Sequence, residues 1–172
     1  IITLQGSGMD ETILNGNATN MEVGWNGYMG VIWVSYYADV TIQDLRITGS
    51  NLYGQYGGAI SIDGGANVTI NNVRLDNNEA NYGGGAIYMG GSPGGVSNVS
   101  ISNSIISHNI GGPAGAIQAC GPFVGITLDH VLIYGNEATE GAGAIMVNCN
   151  YDITSHLNFD NVIVLSVLIA SE

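Results

Sequence analysis

Two arginines, a spaced set of aspartates, three histidines and two cysteines hold the reactive chemistry of this chain. Asp129 and Asp160 lie 31 residues apart (160−129). Paired carboxylates some 5–9.5 Å apart cleave glycosidic bonds. A chain that coils back on itself about every 30 residues would bring these two within that range. Asp44 falls one column away, alongside Asn72, Asn103, His130 and Asn161. His108, His130 and His156 show no metal-binding spacing. Glu79 and Glu137 occupy equivalent loop positions two coils apart, with Ile110 between them, and make a calcium site conceivable; solvated loop carboxylates are the plainer reading. The calcium-binding repeat Gly-Gly-x-Gly-x-Asp is absent. Cys120 and Cys149 follow the same strand in successive coils. Neighbouring coils place such positions within the 4.4–6.8 Å Cα range of a disulfide, which is expected here.

Whether any of these groups meet depends on the element that repeats. Gly57-Gly58-Ala59-Ile60 returns as Gly84-Gly85-Ala86-Ile87, Ala114-Gly115-Ala116-Ile117 and Ala142-Gly143-Ala144-Ile145. The isoleucines are 27, 30 and 28 residues apart (87−60, 117−87, 145−117). A period in this range marks stacked repeats. Upstream of each block runs an alternating segment: Val40-Thr41-Ile42, Val68-Thr69-Ile70, Val99-Ser100-Ile101, Ile126-Thr127-Leu128 and Leu157-Asn158-Phe159. Alternation of apolar and polar residues is the strand signature. A further apolar pair follows each one, such as Val73 and Leu75 or Val131 and Ile133. Each unit therefore reads as three short strands and three turns. It cannot bury its own apolar face, but stacked copies can.

The fold expected is all-β: a right-handed parallel β-helix, a single-stranded solenoid of about five coils of 27–31 residues. Its hand follows the right-handedness of parallel crossovers. The whole of 1–172 forms one domain, with an irregular first coil to residue 38, regular repeats over 39–155 and an incomplete last coil over 156–172. The regular units vary in length in two loops, before and after the Gly-Ala-Ile block, where such folds place binding surfaces.

Asn78, Asn109 and Asn136 each sit three residues after a core position and should stack in one column below Ser50. Stacked amides hydrogen-bond from copy to copy, so a structural ladder is expected rather than a ligand site. The Gly-Ala steps read as corners where coils pack closely.

The Gly-Gly-Ala-Ile blocks, paired with an upstream apolar-x-x-Asn, resemble the repeats of chlamydial polymorphic outer-membrane proteins. Those are marked by Gly-Gly-Ala-(Ile/Leu/Val) and Phe-x-x-Asn. Related repeats occur in large surface proteins of algae and protists. Leu75, Ile106 and Ile133 stand here where the phenylalanine would be. The resemblance covers about Asp39 to Val147. It implies a surface or passenger domain used in adhesion, with no catalytic residues. The pectin-lyase-like enzymes that share such a fold are the rival class, and their lyases use a basic residue with carboxylate-held calcium. Arg46 and Arg74, in equivalent positions of adjacent coils, have no acidic cluster around them in sequence.

Composition narrows the field. The chain has 2 basic and 14 acidic residues, a net charge of −12. Nucleic-acid binding needs a basic surface and is excluded; anionic membranes are disfavoured for the same reason. The apolar tail Val162–Ala170 is too short to span a bilayer. No cofactor is expected, calcium aside. The chain starts at Ile1 and ends on an unfinished apolar coil, which reads as a processed form or fragment continued by more chain or covered by another subunit. Sequons stand at Asn17, Asn67 and Asn98. With the cysteine pair and the acidic surface they favour an extracellular or cell-surface setting. Tyr53, Tyr56 and Tyr82 cluster in the loops before the Gly-Ala blocks, below Trp25 and Tyr28, as candidate contacts for a glycan or a protein.

Overall fold

A computed structural model describes residues 1–17, 30–52, 56–90, 95–121, 123–147 and 156–165. The described elements are all strands, and every pairing between them is parallel. Each strand pairs with its equivalents one coil before and after. Val40, Val68, Val99, Ile126 and Leu157 form one file, and Ile32, Ile60, Ile87, Ile117 and Ile145 another. The result is a right-handed parallel β-solenoid. It has four complete turns, beginning at 39, 67, 97 and 124, rather than the five expected. The partial coil before them supplies Ile2–Gln5, Ile13–Asn15 and Ile32–Val34; the one after supplies His156–Asp160 and Ile163–Leu165.

The coil differs from three strands and three turns in two ways. The first two strand positions belong to one ten-stranded sheet, because Asp39–Thr48 and Asn67–Asp76 each run through the bend as single strands. The stretch read as a loop before the Gly-Ala block carries a further ladder of two-residue strands: Asn51–Leu52, Glu79–Ala80, Ile110–Gly111 and Glu137–Ala138. The five-stranded sheet of the Gly-Ala-Ile blocks closes the coil.

Bends are set by residues that tolerate a left-handed backbone. Asp44, Asn72, Asn103, His130 and Asn161 share one column, and all have φ between 50° and 57°. Short Asp and Asn side chains bond locally and accept this conformation better than other non-glycine residues. A second left-handed column, Gly49, Asn77, His108 and Gly135, precedes the ladder of Ser50, Asn78, Asn109 and Asn136.

The interior is a continuous file of Ile, Leu and Val, with Ile42, Leu45, Ile47, Ile60, Ile70, Leu75, Ile87 and Ile117 fully buried. One buried Leu or Ile contributes about 1.5–3 kcal/mol relative to its exposed state. Ser104 replaces an aliphatic residue in the column of Val73 and Val131. It is buried there because its Oγ accepts the Val73 N–H (3.1 Å) and donates to the Ser102 carbonyl (2.6 Å).

Candidate ligand-binding face

In a strand, residues i and i+2 share a face, and neighbouring strands lie about 4.8 Å apart. The outward side of the first sheet therefore carries two files along the solenoid axis. One runs Asp39, Asn67, Asn98, Gly125, His156; the other runs Thr41, Thr69, Ser100, Thr127, Asn158. The amides link coil to coil. Asn98 Nδ2 donates to Asn67 Oδ1, and Asn67 Nδ2 to Asp39 Oδ1, both at 2.9 Å. The file is interrupted at Gly125, where a Cβ would stand 2.3 Å from Asn98 Oδ1. An open groove of about 750 Å³ runs over these files from Asn67 to Asn158. Its lining holds hydroxyls and amides, one imidazole (His156), the apolar Val68, Val99 and Leu157, and no carboxylate, although the chain carries a net charge of −12. It offers directional hydrogen bonds at a regular spacing, not charge.

Two sequons, Asn67 and Asn98, lie in this face with their side chains exposed and linked to each other. Asn17 is exposed on the first coil, its N–H bonded to Asn15 Oδ1. Asn78, Asn109 and Asn136 sit instead inside the coil: each Oδ1 accepts the backbone N–H of the ladder residue one coil before (Ser50, Asn78 and Asn109) at 3.0–3.3 Å. Each Nδ2 reaches carbonyls of its own coil and the preceding one.

Arg46 and Arg74 pair in register and point outward. Folding supplies the acidic partners that the linear sequence did not suggest. Arg46 makes a bidentate bond to Asp76, Nε to Oδ1 at 2.7 Å and Nη2 to Oδ2 at 2.6 Å, and Arg74 meets Asp10 at 3.0 Å. Asp76 is only 6% exposed. Its hydrogen bond to Arg46 raises the Arg46 pKa, against the lowering effect of burial and with help from the charges of Asp76 and Asp10. Both of these guanidinium bonds are committed to one carboxylate. Arg46→Ala is expected to destabilise the fold by about 2 kcal/mol, because it strands a nearly buried carboxylate. A lower urea midpoint at unchanged slope would register this loss. Replacing Asp76 by Leu in the same chain should recover most of it; an unchanged midpoint in the single variant would rule the ion pair out as a support.

Asp129 and Asp160 are in register on adjacent strands, and His130 Nδ1 bonds Asp129 Oδ1. Both aspartates flank the left-handed bend, away from the two arginines, whose partners are Asp76 and Asp10. Glu79 and Glu137 each pair with Ile110, and Glu79 lines a smaller notch of about 290 Å³ with Asn77 and His108. Among the described residues, no group of three or more His, Cys, Asp or Glu side chains is placed to hold a metal ion.

Tyr56 and Tyr82 lie with ring centres 6.2 Å apart. Tyr88, on the Gly-Ala-Ile strand, completes the cluster: its ring is 4.8 Å from that of Tyr56 and is covered, at 5% exposure. Tyr82 is exposed. Tyr53, Trp25, Tyr28 and Cys149 lie outside the described residues, so the cluster is followed only through Tyr56, Tyr82 and Tyr88, and the cysteine pair only through Cys120 at the end of its strand.

A second aromatic feature was not anticipated. Tyr36 and Tyr37 protrude at 81% and 63% exposure from the turn that leads into Asp39 and the groove. The available signal was positional: stepping back 28 residues from Gly64-Gly65 lands on Tyr36-Tyr37 (64−28, 65−28). Burial raises the pKa of Asp63, at the head of the glycine turn, from its ordinary value, opposed by a hydrogen bond with Trp33.

Repeating coils, three stacked parallel sheets and a shared core define this chain as a parallel β-solenoid. The family model for the right-handed beta helix region matches residues 31–166. The chain belongs to that family. No curated protein and no solved structure gives a match.

Proposed function

We propose that this β-helix is a non-catalytic module of an extracellular or cell-surface protein, which adheres to a glycan or protein partner through its outward face and loops. The observation that carries this reading is the groove free of carboxylates, in which the amides and hydroxyls of Asn67, Thr69, Asn98, Ser100 and Thr127 stand beside the apolar Val68, Val99 and Leu157. Such a surface recognises a partner by hydrogen bonding. Catalysis would need proton donors and acceptors converging on one point. The aspartates, arginines and glutamates stand in separate columns, and Arg46 is committed to Asp76. The resemblance of the Gly-Gly-Ala-Ile blocks to adhesive surface repeats points the same way. A Cys120–Cys149 bridge and a glycan on Asn17 would suit that location, whereas a glycan on Asn67 or Asn98 would fill the groove itself. Partners would be neighbouring subunits or further length of a longer chain, besides the glycan.

The reading is tested by incubating the protein with neutral and acidic polysaccharides. Co-sedimentation and the appearance of new reducing or unsaturated chain ends are followed in one sample. Retention without new ends is expected. New ends that vanish in Arg46→Ala or Arg74→Ala would overturn the reading in favour of a polysaccharide-cleaving enzyme.

A further inference from the structure

Tyr36 and Tyr37 have φ of 55° and 58°. Left-handed backbone is an outlier for bulky residues, and a pair in succession is more so. The next coil makes the same turn with glycines: Gly64 and Gly65 have φ of 62° and 78°. The equivalence holds from both sides, because Val34 pairs with Ile62 and Asp39 with Asn67, and the Tyr37 N–H bonds the Gly64 carbonyl. The coil can therefore close with glycine here, yet carries two tyrosines. Burial does not explain them, since both are largely exposed. Strain kept at exposed aromatic residues is a mark of function.

The seating of the rings is built as well. A Cβ on Gly65 or Gly95 would lie 2.9 Å or 2.8 Å from the Tyr37 ring. The ring thus rests on two glycines of successive coils and turns its remaining surface to solvent. Two residues later, the Asp39 carboxylate heads the file that continues through the amides of Asn67 and Asn98 into the groove. Phe123 and Val96, also exposed, stand at the same turn in later coils.

We infer that Tyr36 and Tyr37 form an aromatic platform that stacks a sugar ring of a neutral polysaccharide, whose following hydroxyls bind the Asn–Thr groove. The inference rests on the adhesive reading above and names its ligand. The chemistry selects this ligand over others. A peptide adding as a strand would need unpaired backbone groups, but the strands beneath the groove spend theirs on each other. A polyanion is repelled by a chain of net charge −12. A cation finds no carboxylate in the groove lining. Sugars present an apolar ring face to aromatics and hydroxyls to amides, which matches the platform and the groove in turn.

The test titrates the intact protein with cello-, laminari-, xylo- and mannohexaose by calorimetry. At least one should bind, and Tyr36→Gly/Tyr37→Gly should weaken it about tenfold or more. Tyr36→Gly alone should weaken binding while raising Tm by about 2–4 °C, because glycine relieves the backbone. A purely structural tyrosine would give a fall in Tm instead. The single variant also keeps the test decisive if the double variant fails to fold. Absence of binding by all four hexasaccharides, or wild-type affinity in Tyr36→Gly, overturns the inference. Binding that survives the tyrosine changes but is lost in Thr69→Val/Thr127→Val leaves the adhesive groove standing without its platform. Cleavage of the sugar would instead remove the adhesive reading itself.

Discussion

Gly85→Ala should abolish the native fold. A Cβ at this position would stand 2.4 Å from the Gly115 carbonyl oxygen and 2.6 Å from the Ile110 carbonyl carbon. These are backbone atoms of the next coil, held by the ladder in which the Gly85 N–H bonds the Ala114 carbonyl (3.0 Å). No side chain can swing away to make room. The coil spacing would have to open against every file of paired strands at once. A loss beyond about 4 kcal/mol is expected, at the severe end for a single change. Far-ultraviolet circular dichroism and soluble yield report it. Gly135→Asn is the internal control. Gly135 has φ 61°, but its column already holds Asn77 and His108 at 53° and 55°, and the neighbouring His108 ring can adjust. The control should fold. A Gly85→Ala chain with native circular dichroism and an unchanged urea midpoint would show that close packing at the Gly-Ala corner does not govern the fold.

Asn109→Ala is the second large effect. Asn109 has no exposed surface. Its Oδ1 accepts both the backbone N–H and the Nδ2 of Asn78 at 3.0 Å. Its own Nδ2 shares its protons among the carbonyls of Leu75 and Ser107 and the Oδ1 of Asn136, at 2.9–3.1 Å. Alanine would strand the Asn78 N–H and two carbonyls and leave a small void. Each buried unsatisfied group costs about 1–3 kcal/mol, so a loss of about 4 kcal/mol is expected. For a chain of this size that lowers Tm by roughly 8–16 °C. Scanning calorimetry would settle it; a fall within a degree or two would mean that water replaces the amide and that the ladder is ornamental. The end of the file is made by Ser50, whose hydroxyl and N–H both use Asn78 Oδ1. A terminal member has one neighbour to satisfy, and a hydroxyl suffices there.

The architecture was legible because stacking forces equivalent residues into contact. Ile60, Ile87, Ile117 and Ile145 pair in the register that their spacing implies, and the column of Asp44, Asn72, Asn103, His130 and Asn161 is preserved residue for residue. What escaped reading was either too short or too distant. Two-residue strands such as Ile110–Gly111 contain no alternation to detect. Arg46 and Asp76 are 30 residues apart and meet only because the chain advances one coil with a two-residue offset along the strand. Tyr36 and Tyr37 contradict residue preference, so propensity points away from the conformation they adopt. The groove combines both cases. Each Asn or Thr that lines it looks like ordinary strand-edge chemistry, and only the register of four coils assembles them into one uncharged surface.

This β-helix is expected to bind a sugar chain on that surface and to leave it intact. The direct measurement is a nuclear magnetic resonance titration of labelled protein with the hexasaccharide that binds, followed by analysis of the sugar. Saturable shifts are expected in the side-chain amide signals of Asn67 and Asn98 and in the ring signals of Tyr36 and Tyr37, with the sugar recovered whole. Shifts centred on Arg46, Arg74 or Asp129, or a shortened sugar, would contradict it.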